Sequence, residues 1–388
     1  MTGSGLYGRV AAVGVGRLQF KRGAAPYSER ELLVRAIVAA CADAGLDPAD
    51  VDGFVSYGDD RHNEPVRLMP ELGTRELTLS TQIWGGGGAG MIAAFEIAAA
   101  MIAAGQCRHI IVFRAIAQGS SGRLGAAVMA HFVNDHYTGA GIVAPTQFLG
   151  LRARRVLSQH RIAPSVIEAL VRADYYHAAR NPEAVAFGNH FRVEDYRDSR
   201  WVVEPLRLYD CSRENDGAGA VLLTSAERAR DLAKKPVFIL GAVQGCYQGA
   251  GDLLENDDDY SVNGFAAVAQ RLWAKTGLSI KDMDCAQVYE NFTYLAVAAL
   301  IEHGFSSWEA AAEDFTFENL IAPHGRFPVN TSGGNLAEGF IHGMNTAIEA
   351  VRQLRGESSN PVPNARTCLV TAGPGAPSSS AVFANEIP

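Results

Sequence analysis

Three kinds of residue in this chain have the chemistry and the placement for proton transfer on a polarised carbonyl. Tyr289 stands in YENFT, where an apolar strand-like run (DCAQV) gives way to a helix-like one. A phenol in such a turn is a plausible general base if its neighbours lower its affinity for the proton. His342 opens another helix-like stretch and offers a second titratable group. The run WGGGGAG, residues 84–90, precedes an apolar helical pattern, so the backbone amide of Gly87 is expected at a helix N-terminus, where amides and dipole attract developing negative charge. The six cysteines (41, 107, 211, 246, 285 and 368) form no CxxC pair, so neither a zinc site nor a disulfide framework is indicated. His131, Asp135 and His136 have the look of a ligand cluster, but their loop-rich setting argues against metal, and none is expected. Asp216, in NDGAGA, reads as a turn residue.

These groups need a frame. With 388 residues, 48% of them hydrophobic, the chain exceeds one ordinary core, and two domains are expected, over 1–230 and 231–388. A net charge of −8 disfavours nucleic acid and anionic membrane as partners. The start has no export-signal pattern and no run is long enough to span a bilayer, so a cytoplasmic protein is expected. Apolar spacing gives a helix over 28–45, opened by Ser28 with Glu31 as a capping box and closed by Gly45. A buried helix over 91–105 leads into a strand over 108–115. Helices are expected over 145–160, 164–180 and 225–232, within and after an insertion spanning about 116–200. The second half repeats the logic: helix 267–278, strand and turn 284–292, helix 293–304, a glycine turn at 329–334, helix 341–356, then strand, glycine turn and strand over 365–386. Matching glycine turns before buried helices suggest an internal repeat.

Four stretches, in order, resemble the thiolase superfamily and its sterol-carrier-protein branch: GGGGAGMIAAFEIAAAMIAAG (85–105), EPLRLYDCSRENDGAGAVLLTSAERA (204–229), VYENFTYLAVAALIEHGF (288–305) and FPVNTSGGNLAEGFIHGMNTAIEAVRQLRG (327–356). The resemblance implies a thiolase-like α/β fold of two pseudo-repeated domains in a layered αβαβα arrangement. The departures from the family pattern carry the chemistry. Gly87, or Gly88 beside it, occupies the place of the nucleophilic cysteine; Phe340 that of the Gly-His-Pro histidine; Thr371 that of the second cysteine. Acyl transfer through a thioester-bound enzyme is therefore unavailable at those positions.

That pattern of loss, with tyrosine in the third stretch, is similar to the thiolase-like aldolases that shorten steroid side chains. The resemblance implies retro-aldol cleavage of a bulky β-hydroxyacyl-CoA into a ketone or aldehyde and acetyl- or propionyl-CoA. Tyr289 would be the base, with His342 replacing a hydroxyl that several relatives carry where Phe340 stands. The amides of Gly87, Gly88 and Gly373 would form the oxyanion site, and Phe340, Ser332, Gly333 and Thr371 would line the substrate. No cofactor is implied beyond the coenzyme A of the substrate. A homodimer is implied, joined by a small OB-fold, zinc-ribbon protein into a heterotetramer. Two other readings stand beside this one: a non-catalytic acyl-CoA-binding subunit, and an acyltransferase using Cys211, Cys246 or Cys285.

Overall fold

The computed structural model describes residues 6–58, 64–124, 135–247, 259–375 and 377–388. His131, the side chains of Asp135 and His136, and residues 255–258 of an acidic run fall outside what is described.

Nine strands form one sheet: β1 (Val10–Lys21), β2 (Gly53–Tyr57), β3 (Leu79–Ile83), β4 (His109–Ala117), β5 (Asn215–Ser225), β6 (Val237–Gly245), β7 (Cys285–Val288), β8 (Thr367–Ala372) and β9 (Ser378–Ala384). Their order is β3-β2-β4-β5-β1-β6-β9-β8-β7. Outward from the central β1–β6 pair the two halves mirror each other. Each runs antiparallel twice and then turns parallel, at β4–β2 in one half and β8–β7 in the other. Even β3 has a vestigial counterpart, a parallel bridge between Ala286 and Val329.

Helix α1 (Glu29–Ala44) follows β1. The Ser28 hydroxyl accepts the Glu31 N–H at 3.2 Å, but Glu31 turns to Arg35, so only half of the expected capping box forms. Helix α2 (Met91–Ala103) is apolar on nearly every side because it lies between the two half-sheets. Helices α3 (Pro145–Gln159) and α4 (Pro164–Arg180) belong to the insertion, α5 (Phe265–Thr276) and α6 (Thr293–Glu302) to the second half. Helix α7 (Met344–Arg355) is the counterpart of α2 and shares its core with residues from both halves of the sheet. On the outer face α1 covers the first half, while α4, α5 and α6 cover the second. The layers are thus helix, sheet, paired central helices, sheet, helix, the αβαβα arrangement.

Two glycines of β1 are enforced by close approach. A Cβ on Gly14 or Gly16 of β1 would collide with backbone carbonyls of α1, so this helix can sit flat on its strand only because those side chains are missing.

Three local expectations are corrected. Residues 225–232 form a single 3-10 turn, Arg228–Asp231, in which only Ala229 is buried; eight residues without an apolar face cannot sustain a helix. The last long helix starts at Met344, after a left-handed Gly343. Asp216 lies in β5, not in a turn, and its carboxylate accepts the N–H of Gly23 and of Gly119, each at 2.7 Å.

Candidate active site

The glycine turns of the two halves meet. A Cβ on Gly375 would lie 2.9 Å from Gly86 Cα, and one on Gly86 would lie 2.8 Å from the Pro377 carbonyl oxygen. Gly85, Gly86 and Gly87 all have left-handed φ, at +77°, +64° and +53°, a run that other residues adopt only with strain. Gly87–Gly90 then forms a 3-10 turn that feeds α2, bringing its opening amides to the positive end of the helix dipole.

The missing side chains at this turn are replaced from the other half of the chain. A Cβ on Gly88 would lie 2.5 Å from the Tyr289 hydroxyl oxygen, and a Cβ on Gly87 would lie 3.3 Å from His342 Nε2. The phenol and the imidazole therefore front two consecutive positions left empty by glycine, 88 being the one against Tyr289. Tyr289 continues the pairing of β7 with β8, donating its N–H to the Thr371 carbonyl at 3.0 Å. Its ring also needs Gly343, where a Cβ would come within 2.8 Å of Tyr289 Cδ2. His342 has φ +54°, and the Tyr57 hydroxyl donates to its carbonyl at 3.1 Å. Such strain in a non-glycine residue persists only where the surroundings impose it. Phe340 completes an aromatic cluster, its ring centroid 6.1 Å from Tyr289 and 5.5 Å from His342.

Of the residues expected at the site, Tyr289, His342, Phe340, Gly87 and Gly88 come together. Thr371 supports Tyr289 through its carbonyl, and its buried hydroxyl makes no hydrogen bond among the described residues. Gly373 packs against the Phe265 ring in the turn that reaches Gly86. Ser332 and Gly333 are engaged elsewhere: the Ser332 hydroxyl donates to Glu338 at 2.6 Å, and Gly333 fits against Ala178 of α4.

Two features escaped the sequence reading. Arg114 of β4 is fully buried, its guanidinium carbon 5.9 Å from the Tyr57 ring centroid. The signal was there, as a cation inside HIIVFRA, an otherwise apolar run. Glu290, beside Tyr289, accepts the Asn335 N–H at 2.6 Å, and its carboxyl lies close to that of Asp174 in α4, both flanking Gly334. Burial raises both acids, and Glu290 raises Asp174 further, so this enclosed pair retains a proton.

The electrostatics correct the expected state of Tyr289. Burial drives its pKa above the ordinary phenol value, Glu290 adds to the rise, and the Arg114 cation opposes it. Tyr289 is therefore a protonated phenol at rest. The thiols are poorly poised for attack. Burial first, then a nearby aspartate, pushes Cys41 and Cys211 up to about 12; burial and the adjoining Cys285 raise Cys368; the Cys246 thiol donates to the Gly375 carbonyl at 3.3 Å. Among the described residues no group of three His, Cys, Asp or Glu is fit to hold a metal, and no helix is long and apolar enough to cross a membrane.

Layering, mirrored halves and a glycine turn facing the tyrosine turn define a thiolase-like protein without a nucleophile. Residues 250–384 match the thiolase C-terminal domain-like family. The chain is 37% identical to the 17-hydroxy-3-oxo-4-pregnene-20-carboxyl-CoA lyase of Mycobacterium tuberculosis, over 97% of this chain and 100% of that one. It is 34% identical to the steroid side-chain-cleaving aldolase of Thermomonospora curvata, over 97% and 98%. The solved Ltp2-ChsH2(DUF35) aldolase superposes with a TM-score of 0.90 at 34% identity, covering 98% of this chain and 99% of that one. The chain belongs to the thiolase-like steroid side-chain aldolases, a family of carbon–carbon lyases.

Proposed function

We propose that the chain cleaves the side chain of a steroid β-hydroxyacyl-CoA thioester by a retro-aldol step, with no acyl-enzyme. The observation that carries this is the replacement of the nucleophile's side chain by the Tyr289 hydroxyl at Gly88. His342 accepts the β-hydroxyl proton. The Cα–Cβ bond then breaks, the β-carbon becomes a ketone or aldehyde, and the electron pair moves into the thioester as an enolate. The amides of Gly87, Gly88 and Gly373 receive the charge on its oxygen. Tyr289 protonates the α-carbon, releasing acetyl- or propionyl-CoA, and the proton held on His342 returns to the Tyr289 phenolate. The two rings are 6.5 Å apart, centroid to centroid. The net change is transfer of the hydroxyl proton to carbon, which requires no cofactor beyond the coenzyme A of the substrate.

The named relatives support this reading by what they act on, a pregnene carboxyl-CoA and steroid side chains. We read residues 1–230 and 231–388 as the two domains of a cytoplasmic homodimer. The solved aldolase that includes a DUF35 partner supports a small OB-fold, zinc-ribbon protein as partner here too. Incubation of the purified chain and its partner with 17-hydroxy-3-oxo-4-pregnene-20-carboxyl-CoA tests the reading. Release of a 17-ketosteroid and a short acyl-CoA, reduced roughly 10²–10⁴-fold in Tyr289→Phe, is the expected result. Unreduced turnover in that variant refutes the proton assignment.

A further inference from the structure

Two carboxyls enclosed side by side cannot both be ionised, because nothing screens their repulsion in a low dielectric. Asp174 of α4 and Glu290 of the tyrosine turn are such a pair, each with none of its surface exposed. Gly334 is the point on which they converge. A Cβ there would collide with Glu290 Oε1 and lie 2.8 Å from Asn330 Nδ2 and 3.0 Å from Asp174 Oδ2. The Asn330 amide cannot be reversed, because its Oδ1 accepts the Val288 N–H at 2.7 Å, so its Nδ2 is the atom beside the acids. Glu290 Oε1 takes the Asn335 N–H at 2.6 Å. Glu290 Oε2 and both oxygens of Asp174 are buried without a hydrogen-bond donor among the described residues. A proton carried by one carboxyl supplies the missing donor to the other.

The groups around this pair are the ones that hold the tyrosine turn. Asn330 fixes Val288, Asn335 fixes Glu290, and Tyr289 stands between them. The turn is closed by the Ser212 N–H, which donates to the Asn291 carbonyl at 2.9 Å. We infer that Asp174 is a positioning residue for the lyase reaction: with Glu290 it holds one proton, and the contact so made between α4 and the turn keeps the Tyr289 ring against Gly88. The inference rests on Tyr289 as a reacting group. Loss of that proton leaves two adjoining carboxylates, whose repulsion pushes the turn away from α4. Among the described residues the other titratable groups about the pair are Tyr289 on the turn, Tyr175 and His177 on α4, and Arg213, which donates to the Tyr175 hydroxyl at 3.3 Å. Burial keeps His177 neutral, and its Nε2 accepts the Ala322 N–H at 2.9 Å. Glu338, on the loop of Asn335, is engaged by Arg17 and Ser332.

The test compares the full chain with its Asp174→Asn and Asp174→Ala variants. Asparagine keeps the shape and offers Glu290 an N–H in place of the shared proton, one that it cannot lose. With the amides of Asn330 and Asn335 also beside it, Glu290 is then a carboxylate. Infrared difference spectra of the Asp174→Asn and parent chains at neutral pH should show the loss of a protonated-carboxyl band, a reading independent of turnover. The alkaline limb of kcat/KM should move upward in Asp174→Asn by about one unit, a tenfold change in the proton equilibrium. Asp174→Ala should lower kcat roughly 10–10²-fold with KM little changed, through misplacement of Tyr289, and Asp174→Asn should keep most of the rate that alanine loses. A carboxyl band that survives in Asp174→Asn, or an alkaline limb that coincides with the parent's, overturns the inference. Full kcat in a folded Asp174→Ala protein does the same; should that variant not fold, the asparagine comparison decides alone. Undiminished turnover by Tyr289→Phe would instead remove the reading of Tyr289, while the infrared band would still report whether Asp174 and Glu290 share a proton.

Discussion

At the scale of single residues, a Cβ at position 88 is as disruptive as the loss of the tyrosine. Gly88→Cys restores the family's nucleophile in name, yet its Cβ would stand 2.5 Å from the Tyr289 hydroxyl. The ring must swing away, at a cost of about 1–3 kcal/mol for the overpacked core. Gly88→Cys and Gly88→Ala should therefore both lose most lyase activity in a steady-state assay, and the cysteine variant should gain no acyl-transfer activity. Retention of full lyase rate by Gly88→Ala would show that Tyr289 does not depend on that empty place. The meeting of these residues was legible in the sequence, because their types and order in the chain matched a known frame at the positions that the fold brings together. The charge state of Tyr289 was not legible. It is set first by burial of the ring and opposed by Arg114, which is 175 residues away in sequence and reads there as one cation in an apolar strand. It also depends on Glu290 being enclosed with Asp174, a contact that only α4 creates. Ser332 and Gly333 were assigned to substrate from their motif, whereas their contacts fix the loop that carries Glu338.

At the scale of elements, buried polar groups hold the loops around the sheet. Asp216 ties the ends of β1 and β4 through Gly23 and Gly119. Removing a carboxylate that accepts from two part-buried amides costs about 1–2 kcal/mol, so Asp216→Ala should lower the denaturant midpoint. A shift within error would mean that water replaces the carboxylate. His303 at the end of α6 contacts the Ala299 carbonyl through Nδ1 at 2.7 Å and the Ser380 hydroxyl through Nε2 at 2.9 Å, an arrangement for a neutral ring. Burial lowers its pKa to about 4. The unfolded chain takes up the proton first as pH falls, so this stability is present above pH 6.5 and is lost between 6.5 and about 4, by roughly 3 kcal/mol. His303→Gln should flatten the fall of Tm over that interval; an equal fall in both proteins would assign it to other groups. Most elements were legible from periodicity because their apolar faces meet a core. β3 was not, since its residues are largely half-buried and present no inward stripe. The helix expected over 225–232 failed for a related reason: its composition suited a helix, but no surface was available to cover it.

At the scale of the whole molecule, the sheet ends at β3 on one side and its edge is followed at once by Trp84, which is 65% exposed. An open strand with a large apolar side chain beside it is a pairing surface. In the proposed homodimer this edge lies at the two-fold, so Trp84→Asp should shift the particle mass toward the 41.4 kDa protomer in size-exclusion chromatography with light scattering. A dimer that survives the change would place the interface elsewhere. The mirrored halves place two helix-opening turns at the centre, and one of them, at residues 85–88, has exchanged a reactive sulfur for space. What occupies that space during turnover separates lyase chemistry from acyl transfer. Intact-mass spectrometry of the protein quenched in the steady state with its steroid thioester reads this directly. The expected spectrum shows the unmodified chain while ketone and short acyl-CoA accumulate; an acyl group retained on the protein would contradict it.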